Sequence, residues 1–115
     1  MGGEFGVRRP LRFLAHRLEL DRLQVSQVAE ILDDVKTERA QAAVDDRRAH
    51  KQFAESVAAE GFDSDKAKAA VKARRESADR VDVAVVASLE RLHAILSAAQ
   101  RAELALLLRT GVLTA

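Results

Sequence analysis

Between Leu11 and Thr110 the chain contains no proline and a single glycine, Gly61; the only proline is Pro10. Proline and glycine are the residues that most weaken a helix interior. What fills the gaps is rich in Ala, Leu, Glu, Arg, Lys and Gln, side chains that lose little rotamer freedom in a helix. The distribution predicts an all-α chain with two long, unbroken arms. They meet at one turn, Glu60-Gly61-Phe62-Asp63-Ser64, the only strong internal breaker. Gly61 is expected to end the first arm in a left-handed conformation, and Asp63 or Ser64 to cap the second.

Apolar spacing divides the chain further. Pro10 suits the first turn of a helix, and Leu11, Leu14, Ala15 and Leu18 follow at helical intervals. A second helix starts at Asp21 or Arg22, with the stripe Val28, Leu32, Val35, Arg39, Ala42, Asp46, Ala49, Phe53. A third repeats the rhythm with Ala67, Val71, Arg74, Ala78, Val81, Val85, Leu89, Leu92, Leu96. Steps of three and four make this a heptad pattern. A fourth helix runs from Ser97 or Ala98 to Arg109, with Gly111 just beyond, where helix ends favour glycine. Two short helices thus flank two long ones, each about 45–60 Å long. So short a turn forces the long pair antiparallel. Phe53 should face Val71, Ala42 should face Val81 or Ala78, and Leu32 should face Leu92. The seam is rich near Leu32 and Leu92, and thin and charged around Arg39, Asp46 and Arg74. Leu104, Leu106, Leu107 and Leu108 form an arc too wide for one neighbour, which calls for a further surface such as a second protomer. Residues 1–9 read as a flexible leader, 10–112 as one helical domain and 113–115 as a tail.

A five-residue pattern occurs twice, once at each short–long helix junction: Leu20-Asp21-Arg22-Leu23-Gln24 and Leu96-Ser97-Ala98-Ala99-Gln100. Asp21 and Ser97 are strong N-cap types. A glutamine three residues later completes a capping box, in which cap and glutamine each satisfy the other's backbone N–H. The leucine before each cap can act as a hydrophobic staple. Loss of either cap should cost about 1 kcal/mol.

These paired motifs resemble the twice-occurring L-T-x-x-Q of the Spy/CpxP family of bacterial periplasmic proteins. That family includes chaperones and related heavy-metal-resistance and zinc-resistance proteins. Threonine is replaced here by Asp21 and Ser97, both competent caps. The separation of the copies, the proline-free arms and the trailing QRAELALLLRTG are similar too, so the resemblance covers residues 10 to 112. It implies a four-helix, bent antiparallel hairpin that dimerises into a curved cradle. It also implies a periplasmic location, free or membrane-anchored. The chain's own start lacks the apolar region of a signal peptide, so either the protein is cytosolic or a leader or anchor lies outside this sequence. Chaperone members hold unfolded clients on the concave face without ATP; other members sense envelope stress or metals for a signalling partner.

The remaining residues narrow the function. Nineteen basic against 18 acidic residues give a net charge of +1, with no one-sided pull toward nucleic acid or membrane. No stacking aromatics interleave the basic residues, which argues against nucleic acid as a partner. The absence of cysteine removes thiol catalysis and thiolate metal sites. No Gly-rich phosphate loop or paired-carboxylate constellation suggests an enzyme. The expectation for cofactors is none. A zinc, nickel or cobalt site would have to draw on His16, near Glu19, and His93, near Glu90, since the first helix and the end of the third could come close in the folded hairpin; scattered solvent-facing histidines are the reading preferred. Client contact is assigned to Phe13, which lies off the Leu11–Leu14–Leu18 stripe, to the basic Arg47, Arg48 and Lys51, and to Phe62 at the turn. The basic residues alternate with acidic ones and should form i,i+4 pairs such as Glu76–Arg80. The expected function is an ATP-independent chaperone-like or envelope-stress protein. The alternatives are a metal-sensing or regulatory domain of the same fold and a plain antiparallel coiled-coil interaction module.

Overall fold

The structure is a computed structural model that describes residues 8–113; most of the expected leader and tail lies outside the described residues. Four helices make up the described chain, with no strand: α1 (Arg8–Arg17), α2 (Arg22–Ala58), α3 (Ser64–Ile95) and α4 (Ala98–Arg109). The chain falls into two compact units, one of residues up to 36 together with those from 85 onward, the other of residues 37–84.

The first unit holds the apolar core. Leu14 and Leu18 come from α1 and its end, Val28 and Ile31 from α2, Leu92 and Leu96 from the end of α3, and Leu104 and Leu107 from α4. Each fully buried side chain of this size contributes about 1.5–3 kcal/mol, so this unit holds most of the apolar stabilisation. Leu108 packs against the same cluster and only Leu106 stays 41% exposed. The wide apolar arc of α4 is therefore largely covered within the chain. Arg17 binds Glu103 at 2.8 Å and ties α1 to α4, and Arg91 pairs with Asp34 across α3 and α2.

The second unit is a helical hairpin with a lean seam. Its buried residues are Ala49, Ser56, Ala70 and Ser77. The α3 stripe differs from the one read in the sequence. Val71 is 39% exposed and Ala78 faces solvent, while Ala70 and Ser77 turn inward. In the first unit Ser88 is likewise buried in place of Leu89. Apolarity alone puts valine inside, but small residues let two helices approach closely, and a buried serine costs little once its hydroxyl is bonded. Ser56 Oγ donates to the Gln52 carbonyl at 2.8 Å, and Ser77 Oγ donates to Asp45 Oδ2 at 2.9 Å. Ion pairs line the seam: Glu55 with Lys66 at 2.9 Å, Asp46 with Arg74 at 3.2 Å, Asp45 with Arg80 at 3.1 Å. Arg80 thus reaches across to α2 rather than pairing with Glu76 along its own helix. Arg39, placed in the seam by spacing, is exposed, and Phe53 lies beside Arg74, whose guanidinium sits 5.8 Å from the ring centre.

The turn between α2 and α3 is closed by Asp63, whose N–H donates to the Ser56 carbonyl at 3.2 Å and whose Oδ1 accepts from the Lys66 N–H at 3.0 Å. Gly61 does not take the left-handed conformation expected of it. Among the described residues positive φ belongs to Glu19, at 52°, and Gly111, at 76°. Gly111 turns the chain just past α4, where Thr110 is the C-cap.

Candidate functional site

The two pentapeptides meet in the first unit. At the first, α1 ends in a Schellman motif: the Glu19 N–H donates to the His16 carbonyl at 3.3 Å and the Leu20 N–H to the Ala15 carbonyl at 3.0 Å. The next residue, Asp21, is already the N-cap of α2. Its Oδ1 accepts from the Gln24 N–H at 2.8 Å, and its own N–H donates to Gln24 Oε1 at 3.0 Å. Leu20 packs half-buried against the core. One residue therefore closes one helix and staples the start of the next. At the second copy, Ser97 Oγ accepts from the Gln100 N–H at 3.2 Å and the Ser97 N–H donates to Gln100 Oε1 at 2.8 Å. Leu96 is buried beside it.

Each glutamine has a second task. Gln24 Nε2 donates to Gln100 Oε1 at 2.8 Å, and Gln100 Nε2 donates back to Gln24 Oε1 at 3.0 Å. Their remaining N–H groups cap the helices that have just ended on the opposite side. Gln24 Nε2 reaches the Ile95 carbonyl at 2.9 Å, and Gln100 Nε2 reaches the Leu18 carbonyl at 3.1 Å. Every donor and acceptor site of both amides is thus occupied, the full capacity of a primary amide. The two helix junctions are bolted to one another by a reciprocal amide pair. Glutamate can complete a capping box but has no N–H for this second task. That chemistry explains why the pattern ends in glutamine at both positions.

A family model described as LTXXQ motif family protein matches residues 7–108. The chain belongs to the LTXXQ motif family. The family contains Spy/CpxP-like periplasmic proteins, and in this LTXXQ chain the motif's glutamines are the two that pair. Comparison with curated proteins and with solved structures gives no match.

The other assigned residues are scattered. Phe13 packs half-buried against the core with the Arg17 guanidinium 5.6 Å from its ring centre. Arg47, Arg48 and Lys51 are exposed on α2. Phe62 is 64% exposed at the turn and lines an open groove of about 460 Å³ with Val71, Lys72 and Arg75. His16 and His93 are exposed, and among the described residues no three His, Asp or Glu side chains converge to hold a metal. His50 lies 3.5 Å from Asp46.

Two features escaped the apolar spacing. One is a second open groove in the 37–84 unit, of about 600 Å³, where Ala42, Ala43, Val71 and Ala78 form the floor and Arg39 and Arg75 the rim. The other is Asp45, whose side chain is only 13% exposed. The Ser77 hydroxyl, the Gln41 amide and the Arg80 guanidinium hold its carboxyl below the ordinary value, against a smaller opposing effect of burial. Apolar spacing does not mark this pin, because the stripe read from the sequence passes through Asp46, one residue further on.

Proposed function

We propose that this LTXXQ protein is a non-enzymatic, ATP-independent holder of unfolded protein segments, acting in the periplasm as a homodimer. The family match over residues 7–108 carries the reading. The surface supports it. The grooves of the 37–84 unit combine small apolar floors with arginine and lysine rims and remain open. Exposed Phe62, Arg47, Arg48 and Lys51 extend that character. Charged rims capture chains of opposite charge at long range, and apolar floors then hold them weakly enough to release. No cofactor enters this reading, and among the described residues no helix is long and apolar enough to cross a membrane.

The test is light scattering from a chemically denatured enzyme diluted into buffer without ATP. Near-stoichiometric amounts of the protein should suppress the scattering. Unchanged scattering at several-fold excess would remove the holding function.

A further inference from the structure

A net charge of +1 conceals an uneven distribution of sign. Helix α1 carries four of the 19 basic residues and none of the 18 acidic ones, so the rest of the chain is net acidic. At about 100° per residue, Arg8, Arg9, Arg12 and His16 share an arc of about 100°, roughly opposite buried Leu14 and Leu18. All four are exposed, and among the described residues the three arginines have no ion-pair partner. The next acidic residues, Glu19 and Asp21, lie past the end of α1 in the turn to α2, where Asp21 is engaged as a cap. The outward face of α4 differs in kind. Ala98, Ala99, Ala102, Ala105 and Leu106 are exposed on the side opposite buried Leu104 and Leu107, and the charged residue among them is Arg109. Glu103, the acidic residue of α4, is paired with Arg17. Arg17 and Glu103 each lie between the outward and the buried face of their helix, so their contact at 2.8 Å makes the two outward faces adjoin.

A cationic helix face beside an apolar one, with no carboxylate on either, has the character of a surface that lies at a membrane interface. We propose that the outward faces of α1 and α4 together dock the protein on an anionic lipid surface. The guanidinium groups of Arg8, Arg9 and Arg12 bind lipid phosphates, for which their planar fork is suited. Leu106 and the alanines of α4 rest against the boundary between headgroups and acyl chains, which needs no hydrogen-bonding partner from them. An acidic protein would neutralise α1 equally well, but it would leave the α4 face without a complement. A bilayer meets both. The net acidity of the rest of the chain adds orientation, because an anionic surface attracts α1 and repels the remainder. Docking by a few exposed arginines is reversible and weakens as salt is added. The inference is independent of the holding function: it uses neither groove of the 37–84 unit, and it adds a surface on which the protein works.

The experiment is co-flotation of the full chain with vesicles of phosphatidylcholine alone and of phosphatidylcholine mixed with phosphatidylglycerol. The parent should float with the mixed vesicles only. An arginine near an anionic surface strengthens binding about fivefold, so Arg8→Gln/Arg9→Gln/Arg12→Gln should bind about a hundredfold more weakly. Lys68→Gln/Lys72→Gln/Arg75→Gln removes the same charge from α3 and should bind as the parent does. Leu106→Gln should weaken binding several-fold at constant charge. Circular dichroism checks that each variant keeps its helicity. A parent that does not float with the anionic vesicles overturns the docking. Equal losses in the two triple variants overturn the assignment to α1, and Leu106→Gln binding as tightly as the parent overturns the part given to α4. A parent that binds a soluble polyglutamate peptide through the three arginines but leaves the vesicles free also overturns the inference and assigns α1 to an acidic protein.

Discussion

Replacing Gln24 by glutamate changes one NH2 to an oxygen and nothing in shape. Judged locally, the change is harmless. Glutamate is a standard third residue of a capping box, and a negative charge in the first turn of α2 suits the helix dipole. Judged in the folded unit, it is costly. The bonds from Gln24 Nε2 to the Ile95 carbonyl and to Gln100 Oε1 disappear. A carboxylate oxygen then faces two acceptors in a half-buried setting. Two lost bonds cost about 1 kcal/mol each, and leaving the Ile95 carbonyl unpaired adds about 1 kcal/mol or more. The expected loss is about 2–4 kcal/mol at neutral pH, and Gln100→Glu should match it because the arrangement is reciprocal. The ionised carboxyl is disfavoured in the folded state, so its folded pKa lies above its ordinary value of about 4.3. The penalty is therefore full above the raised folded pKa and fades as pH falls through it. Urea denaturation followed by circular dichroism, at pH 7 and again in acid, measures both effects. A Gln24→Glu variant as stable as the parent at pH 7 would show that the amide pair contributes nothing, and the account of the motif would fail.

Other outcomes follow from the same structure. Glu19 is exposed and holds φ at 52°, so Glu19→Gly should raise stability by about 0.5–1 kcal/mol by removing left-handed strain; a loss in thermal denaturation would contradict this. Asp45→Ala should speed amide hydrogen exchange in residues 37–84 more than in the apolar unit, since Ser77 and Arg80 lose their shared partner; equal acceleration in both would refute it. Because the Asp45 carboxyl is held below its ordinary 3.8, its support is complete above that value and is lost as pH falls through the lowered one; the parent's exchange in residues 37–84 should rise in that acid window and the Asp45→Ala variant's rise should be smaller. Phe62→Ser should leave the urea midpoint nearly unchanged, because the ring is mostly solvated, yet reduce suppression of aggregation; an unaltered suppression curve would remove Phe62 from the client surface.

The helices and their ends are local matters, and the sequence by itself determined them. Proline-free runs, a cap at Asp21, another at Ser97 and a capped turn at Asp63 each act within a few residues, so spacing and residue type are enough to place them. The antiparallel order of the long arms follows too, because a five-residue connection leaves no other neighbour. The face that α3 turns inward was not legible: Val71 and Ala70 are adjacent and both apolar, and the choice depends on Ser77 meeting Asp45 on another helix. Nor could the sequence show that the amides of Gln24 and Gln100 meet. Each looks complete as a local cap, and only the packing of four helices on one leucine core brings residues 76 positions apart within hydrogen-bond reach. Short-range backbone chemistry fixes where helices start and stop, whereas polar partners across a core exist only once the apolar surfaces have settled their distances.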